Sequence, residues 1–249
     1  GTILNLLQGS SGENYFHFLC DILPKIWLAT SKINLNKIDY FLINKKINWQ
    51  INIFKMIGIP AQKILSAEEN RHIEASTIIS VTHPWYFKGY VQNEVGYLPI
   101  WIISELREKF IKNIKNNELK IFLDRGGSKF NHLKILNNVE VINFFKNKNY
   151  KVIKPENFSL DEQVEIFNNA KTVVAAHGAA LTNIIFCSQK TNIIEIIPSS
   201  HPSKKCQRVS EILNLNYFRY TTEDTQHNLE FPYNINLNLI ELEKIIDQY

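Results

Sequence analysis

Apolar residues along the chain alternate between two patterns. Short continuous runs read as buried strands: "TILNLL" (2–7), "KIDYFLIN" (37–44), "HIEASTIISV" (72–81), "LKIFLD" (119–124), "YKVIKP" (150–155), "TVVAA" (172–176), "TNIIEIIP" (191–198) and "NYFRYT" (216–221). Between them, apolar residues recur every three or four positions, the period of an amphipathic helix. These helical segments are 13–32, 49–58, 98–114, 138–148, 160–170, a short one at 180–186, then 202–214 and 238–249. Pro24 is expected to kink or end the first of them. Strand followed by helix, with strands apolar throughout, predicts an α/β protein with parallel sheets covered on both faces.

The long helix 98–114 runs into the polar stretch "KNNE", which marks a seam. The pattern therefore predicts two Rossmann-like domains, 1–117 and 118–236, with a last helix over 237–249 free to cross back onto the first half. A chain of 249 residues that is 45% hydrophobic is long enough for one large core or two modest ones. The opening Gly1 suggests a trimmed chain, in which a missing piece could carry a targeting signal. No apolar stretch approaches the ~20 residues of a membrane-spanning helix.

The net charge is +4, with lysines scattered among asparagines rather than gathered in a run, which reads as a solvated surface and not a nucleic-acid face. Three cysteines, Cys20, Cys187 and Cys206, form no CxxC pair and suggest a reducing compartment. The seven histidines are dispersed without HxH or HExxH, so no metal site is expected. Neither GxGxxG nor a Walker loop is present.

The most informative stretch is "VVAAHGAALTNIIF" (173–186). It puts His177 and Gly178 at the carboxyl end of a strand, just where a helix starts. Ligands of open parallel sheets bind there, and the first N–H groups of a helix are unpaired. Gly178, Ala179 and Ala180 would let backbone approach a diphosphate closely, and His177 could donate to the same group; tight strand–helix packing is the plainer alternative. Glu195 is a lone acid in an apolar strand, so it either pairs with a neighbour or grips ribose hydroxyls. Arg125, Lys129 and Lys134 follow another strand on a loop with two glycines, a cationic segment suited to a diphosphate leaving group.

In the first half, Ser10 and Glu13 fit a capping box for a helix starting near residue 11. His17 and Asp21 are four apart and share a helix face, as a general base with its partner would. Trp85 and Tyr86, in "THPWYFKGY", are candidates to stack on an acceptor sugar or to pack in the core.

Taken together, "NYFHFLCDILPKI", "FLDRGGSKF…KILNNVEV", "YKVIKPENFSLDEQVEIFNNAKTVVAAHGAALTNIIF" and "NIIEIIP" resemble glycosyltransferase family 61, of the capsular-polysaccharide type, over roughly residues 14–198. The resemblance implies a GT-B fold, two Rossmann-like domains whose parallel sheets face across a cleft. It implies an inverting, metal-independent transfer from a nucleotide sugar, with no cofactor, to a glycan acceptor of capsule or lipopolysaccharide. Such an acceptor is often lipid-linked, which suggests a cytoplasmic protein able to touch the inner membrane. Arg125, Lys129 and the segment His177–Asn183, including Thr182 and Asn183, are implied as donor contacts, and Glu195 as the nucleoside-side carboxylate. His17 and Asp21, with Asn14, Trp85 and Tyr86, fall on the acceptor side. The sequence departs from the family pattern at Lys134 and Asn138, where arginine and glutamate are usual. Rival readings are a nucleotide-sugar epimerase, a pyruvyl transferase, or a binding module without turnover.

Overall fold

The computed structural model describes residues 1–9, 11–85, 97–113, 118–126, 133–201, 203–223 and 233–248. It divides into two compact units: Gly1–Glu94 with Ser104–Lys109, and Val95–Ile103 with Phe110–Tyr249.

The first unit is built on four parallel strands: β1 (Thr2–Asn5), β2 (Tyr40–Ile43), β3 (Ile64–Ser66) and β4 (Thr77–Ser80), in the order β3-β2-β1-β4. After β1 the chain forms α1 (Tyr15–His17), a π-helical turn (Phe18–Ile22) and α2 (Leu23–Thr30); α3 (Asn48–Met56) follows β2. Phe18, Leu19, Ile22, Phe41 and Phe54 fill the core, with the Phe18 ring edge-on to Phe54 at 5.4 Å.

Two local expectations are corrected here. The first helix begins at Tyr15, not near residue 11: Asn14 caps it by accepting the His17 N–H, and Glu13 instead pairs with Lys45. Ser10 lies outside the described residues. Pro24 does not end the helix, because it falls in the first turn of α2, directly after the π-helical turn, where a missing N–H is tolerated.

In the second unit, β5 (Leu119–Leu123), β7 (Lys151–Ile153), β8 (Ala170–Ala176), β9 (Asn192–Pro198) and β10 (Asn216–Thr222) form a parallel sheet in the order β10-β9-β8-β5-β7. A small parallel pair joins β6 (Leu133–Ile135) to β11 (Tyr233–Ile235), so Lys134 sits on a strand and not on a loop. The helices, after α4 (Ile100–Phe110), are α5 (Asn138–Asn147), α6 (Leu160–Asn168), α7 (Lys205–Leu213) and α8 (Leu239–Ile246), with a 3-10 helix over Ala179–Phe186. Every residue of β9 is buried, which is why its sequence shows no polar alternation.

Phe122 of β5 stacks on Phe145 of α5, centroids 4.1 Å apart. The closing helix packs Leu242 and Ile246 into this same core, together with Val141 and Phe145. Its expected return to the first half is therefore corrected: its apolar face is used within the second unit. No helix among the described residues is long and apolar enough to cross a membrane.

Candidate functional site

A parallel sheet opens a crevice at its carboxyl edge where the chain leaves neighbouring strands in opposite directions. In the first sheet that point lies between β1 and β4, and in the second between β5 and β8. Both points carry a cluster of polar side chains. The segment after β1 supplies His17 and Asp21, and the segment after β4 supplies His83 and Trp85. Arg125 follows β5, and His177 follows β8.

In the first unit, Asp21 lies in the π-helical turn and is 0% exposed. Its Oδ2 meets His17 Nδ1 at 2.8 Å and His83 Nε2 at 3.5 Å, and its Oδ1 accepts the Trp85 indole N–H at 2.9 Å. Trp85 also donates to the Cys20 carbonyl at 3.1 Å. That carbonyl is four residues before Pro24, which has no N–H to offer it. Burial alone would raise the Asp21 pKa, but the hydrogen bonds and charges of His17 and His83 outweigh it and hold it below the ordinary aspartate value. The Lys25 ammonium closes the back of the cluster on Leu7 O (3.2 Å) and Gln8 Oε1 (2.9 Å).

Trp85 is thus not an exposed stacking platform. It is buried and holds Asp21 in place. Tyr86 lies outside the described residues. His17 keeps 14% of its side chain exposed, and no described residue bonds its Nε2. A buried carboxylate behind an accessible imidazole orients the ring and favours the tautomer whose outer nitrogen can accept a proton.

In the second unit, the His177 N–H donates to Ile196 O at 2.8 Å, which pins the residue against β9 as it leaves β8. Its Nδ1 hydrogen-bonds Glu195 Oε1. The other Glu195 oxygen accepts the Tyr217 hydroxyl at 2.6 Å, and the Cys206 thiol hydrogen-bonds the same carboxylate. Glu195 is 1% exposed. Burial pushes its pKa up, but these donors win and bring it down to about 2, so it is an anion. Burial pushes His177 down, only partly countered by Glu195, so the free ring is neutral near pH 7.

Arg125 reaches from the end of β5 to donate to the His177 carbonyl. Its guanidinium lies against Gly178, where a Cβ would stand 2.5 Å from Nη1, so a side chain at residue 178 would displace the guanidinium. The turn carrying Arg125 is fixed by Asp124, which accepts from the Gly126 N–H at 2.7 Å and from Asn138 Nδ2 at 3.0 Å. Asn138, where the family pattern has glutamate, is therefore a donor to a carboxylate that a second acid would repel. Lys205 of α7, itself buried, donates to Gly178 O at 3.3 Å.

The 3-10 helix begins at Ala179, and the N–H groups of Gly178, Ala179 and Ala180 have no acceptor among the described residues. Unpaired N–H groups flanked by Arg125 and Lys205 make a setting for an anion. Thr182 and Asn183, expected as donor contacts, face inward instead: both are buried, and Asn183 donates to Gln163 at 2.7 Å. Lys129 lies outside the described residues. Glu195 has both oxygens engaged within the protein, so of its two readings the paired one describes the structure.

His177, Glu195 and Cys206 bring potential ligand atoms within 4.8 Å of one another, close enough for a metal ion. Those atoms already bond one another, and Arg125 and Lys205 press positive charge on the same spot. The cluster is matched to an anion better than to a further cation. Lys205, Cys206, Tyr217 and His83 were not singled out as site residues from sequence. Lys205 stands beside Ser203, Lys204 and Gln207, so its burial left no signal in the sequence.

The family model for glycosyltransferase 61 matches residues 15–194, from the start of α1 to the middle of β9. No curated protein matches the chain. The match covers both switch-point segments that carry His17, Asp21, Arg125 and His177, and the chain belongs to glycosyltransferase family 61.

Proposed function

We propose that this family 61 glycosyltransferase moves a sugar from a nucleotide-sugar donor to a hydroxyl of a glycan acceptor, with inversion at the anomeric carbon and without a metal ion. The observation that carries this reading is the anion setting after β8: three N–H groups without an acceptor among the described residues, beside Arg125 and Lys205. A departing nucleoside diphosphate needs its developing charge neutralised, and preorganised cations and dipoles can do that where other transferases use a metal. The first unit handles the acceptor. His17, oriented by Asp21, removes the proton from the attacking hydroxyl as it displaces the diphosphate in line. A depression of about 540 Å³ at the carboxyl ends of β1, β2 and β3, lined by Gly12, Glu13, Asn44, Lys45 and Arg71, offers polar room for a glycan on the same sheet edge. This division of labour calls for the GT-B arrangement expected from sequence. Capsule or lipopolysaccharide synthesis is the setting that the family resemblance suggests, in the cytoplasm and at the inner membrane where the acceptor is lipid-linked.

The test is release of nucleoside diphosphate and formation of a glycosylated product from a panel of nucleotide sugars and oligosaccharide acceptors. His17→Ala should lower kcat by roughly 10²–10⁴-fold while leaving donor binding intact. Full activity in a folded His17→Ala protein would remove the base assignment. Conversion of the nucleotide sugar with no acceptor present would point to an epimerase instead.

A further inference from the structure

The carboxylate of Glu195 receives three donors, from His177, Tyr217 and Cys206, and is sealed from solvent. An ionised carboxylate only accepts, so the His177 nitrogen facing it, Nδ1, must carry the hydrogen. The opposite nitrogen, Nε2, is then a bare lone pair, and it has no partner among the described residues. In that form it repels a phosphate oxygen. It becomes a donor only by gaining a proton.

We infer that Glu195, with Tyr217 and Cys206, is a positioning residue that fixes His177 with its hydrogen on Nδ1, so that an entering nucleotide diphosphate is held by a ring that takes a proton from solvent onto Nε2. This rests on the nucleotide-sugar reading above and assigns Glu195 to the imidazole instead of the ribose. The proton balance is simple: neutral imidazole plus one solvent proton gives an imidazolium, stabilised by Glu195 behind and the diphosphate in front. The charged and titratable groups around the ring come from several elements. Arg125 follows β5, Lys205 and Cys206 stand on α7, His201, in the segment before it, tilts its ring toward His177 with centroids 4.4 Å apart, and Tyr217 and Arg219 lie on β10. Burial, helped by the charges of Lys205 and Arg125, keeps the empty site's ring neutral; a diphosphate reverses that balance. Tyr217, Cys206 and Glu195 itself lie beyond the residues matched to the family.

The experiment is titration calorimetry with UDP-glucose, ADP-glucose and GDP-mannose, repeated in buffers of different ionisation enthalpy and at several pH values. These diphosphate diesters lack the terminal phosphate proton that titrates near pH ~6. The expected result is uptake of about one proton per donor bound and a Kd that rises about tenfold per pH unit above neutrality. Glu195→Gln should flatten that slope and bind at low pH no better than the wild type does at high pH. His177→Gln should abolish the uptake. If Glu195→Gln fails to fold, the wild-type proton count still decides. Binding with no uptake and no pH slope overturns the inference and leaves the nucleotide-sugar reading standing. Uptake that survives His177→Gln moves the proton to His201 and overturns it too. No binding of any probe at any pH removes the nucleotide-sugar reading itself.

Discussion

Trp85 donates to two acceptors at once, the Cys20 carbonyl and the buried Asp21 carboxylate. Trp85→Phe keeps most of the ring packing and removes both bonds. It should cost ~1–3 kcal/mol through the donor lost at the buried Asp21 carboxylate, read as a lower denaturation midpoint, and should lower turnover by loosening Asp21. An unchanged midpoint would contradict this account of the cluster. The sequence made Trp85 a candidate for the acceptor or the core, and its burial could not be read from "HPWYF" because the indole's partners lie 64 and 65 positions earlier. Glu195 shows the same limit. An acid inside "NIIEIIP" must have a partner, and that much is legible. Which partner depends on registers set by the sheet, since His177 precedes it by 18 residues and Tyr217 follows it by 22.

In the proposed function, donor binding turns on the βα junction after β8. Gly178 has φ 164°, extended backbone open to any residue, so alanine there does not strain the chain. It does place a Cβ against the Arg125 guanidinium, which must move. Gly178→Ala should therefore weaken nucleoside diphosphate binding by tenfold or more while the melting temperature changes little; equal binding by the variant would show that Arg125 is not part of the site. Elements of this kind were readable because β8 and β9 are mostly apolar and buried on both faces, with Glu195 the one acid within β9. The three-residue strands β3, β6 and β11 were not, while β7, equally short, was legible within "YKVIKP". The start of α1 was misread because a capping box and an Asn cap compete within five residues, and Glu13 found Lys45 instead.

Across the whole molecule, buried ionisable groups set how stability responds to acid. His177 has a folded pKa below its ordinary 6.5, so the folded chain binds fewer protons than the unfolded one, and its contribution is lost as pH falls below 6.5. Glu195 is held at about 2 instead of 4.5, so its contribution is present above 4.5 and lost between 4.5 and about 2. Asp21, also depressed, adds to the loss below 3.8. Denaturation midpoints should fall steadily from pH 6.5 downward, and Glu195→Gln should flatten the part below 4.5. A midpoint independent of pH across that range would refute the buried-network account. At this scale the α/β class and parallel sheets were plain in the sequence, while the packing of the closing helix was not, since an amphipathic stripe shows that a face is covered but not by what. The central claim, that the cluster after β8 binds a nucleotide diphosphate, is tested most directly by thermal stability against a panel of nucleoside diphosphates and nucleotide sugars. The account predicts a selective rise with one base, worth about 2.7 kcal/mol at a hundredfold excess over Kd, and lost in Arg125→Ala. A folded protein that shifts with none of them would contradict it.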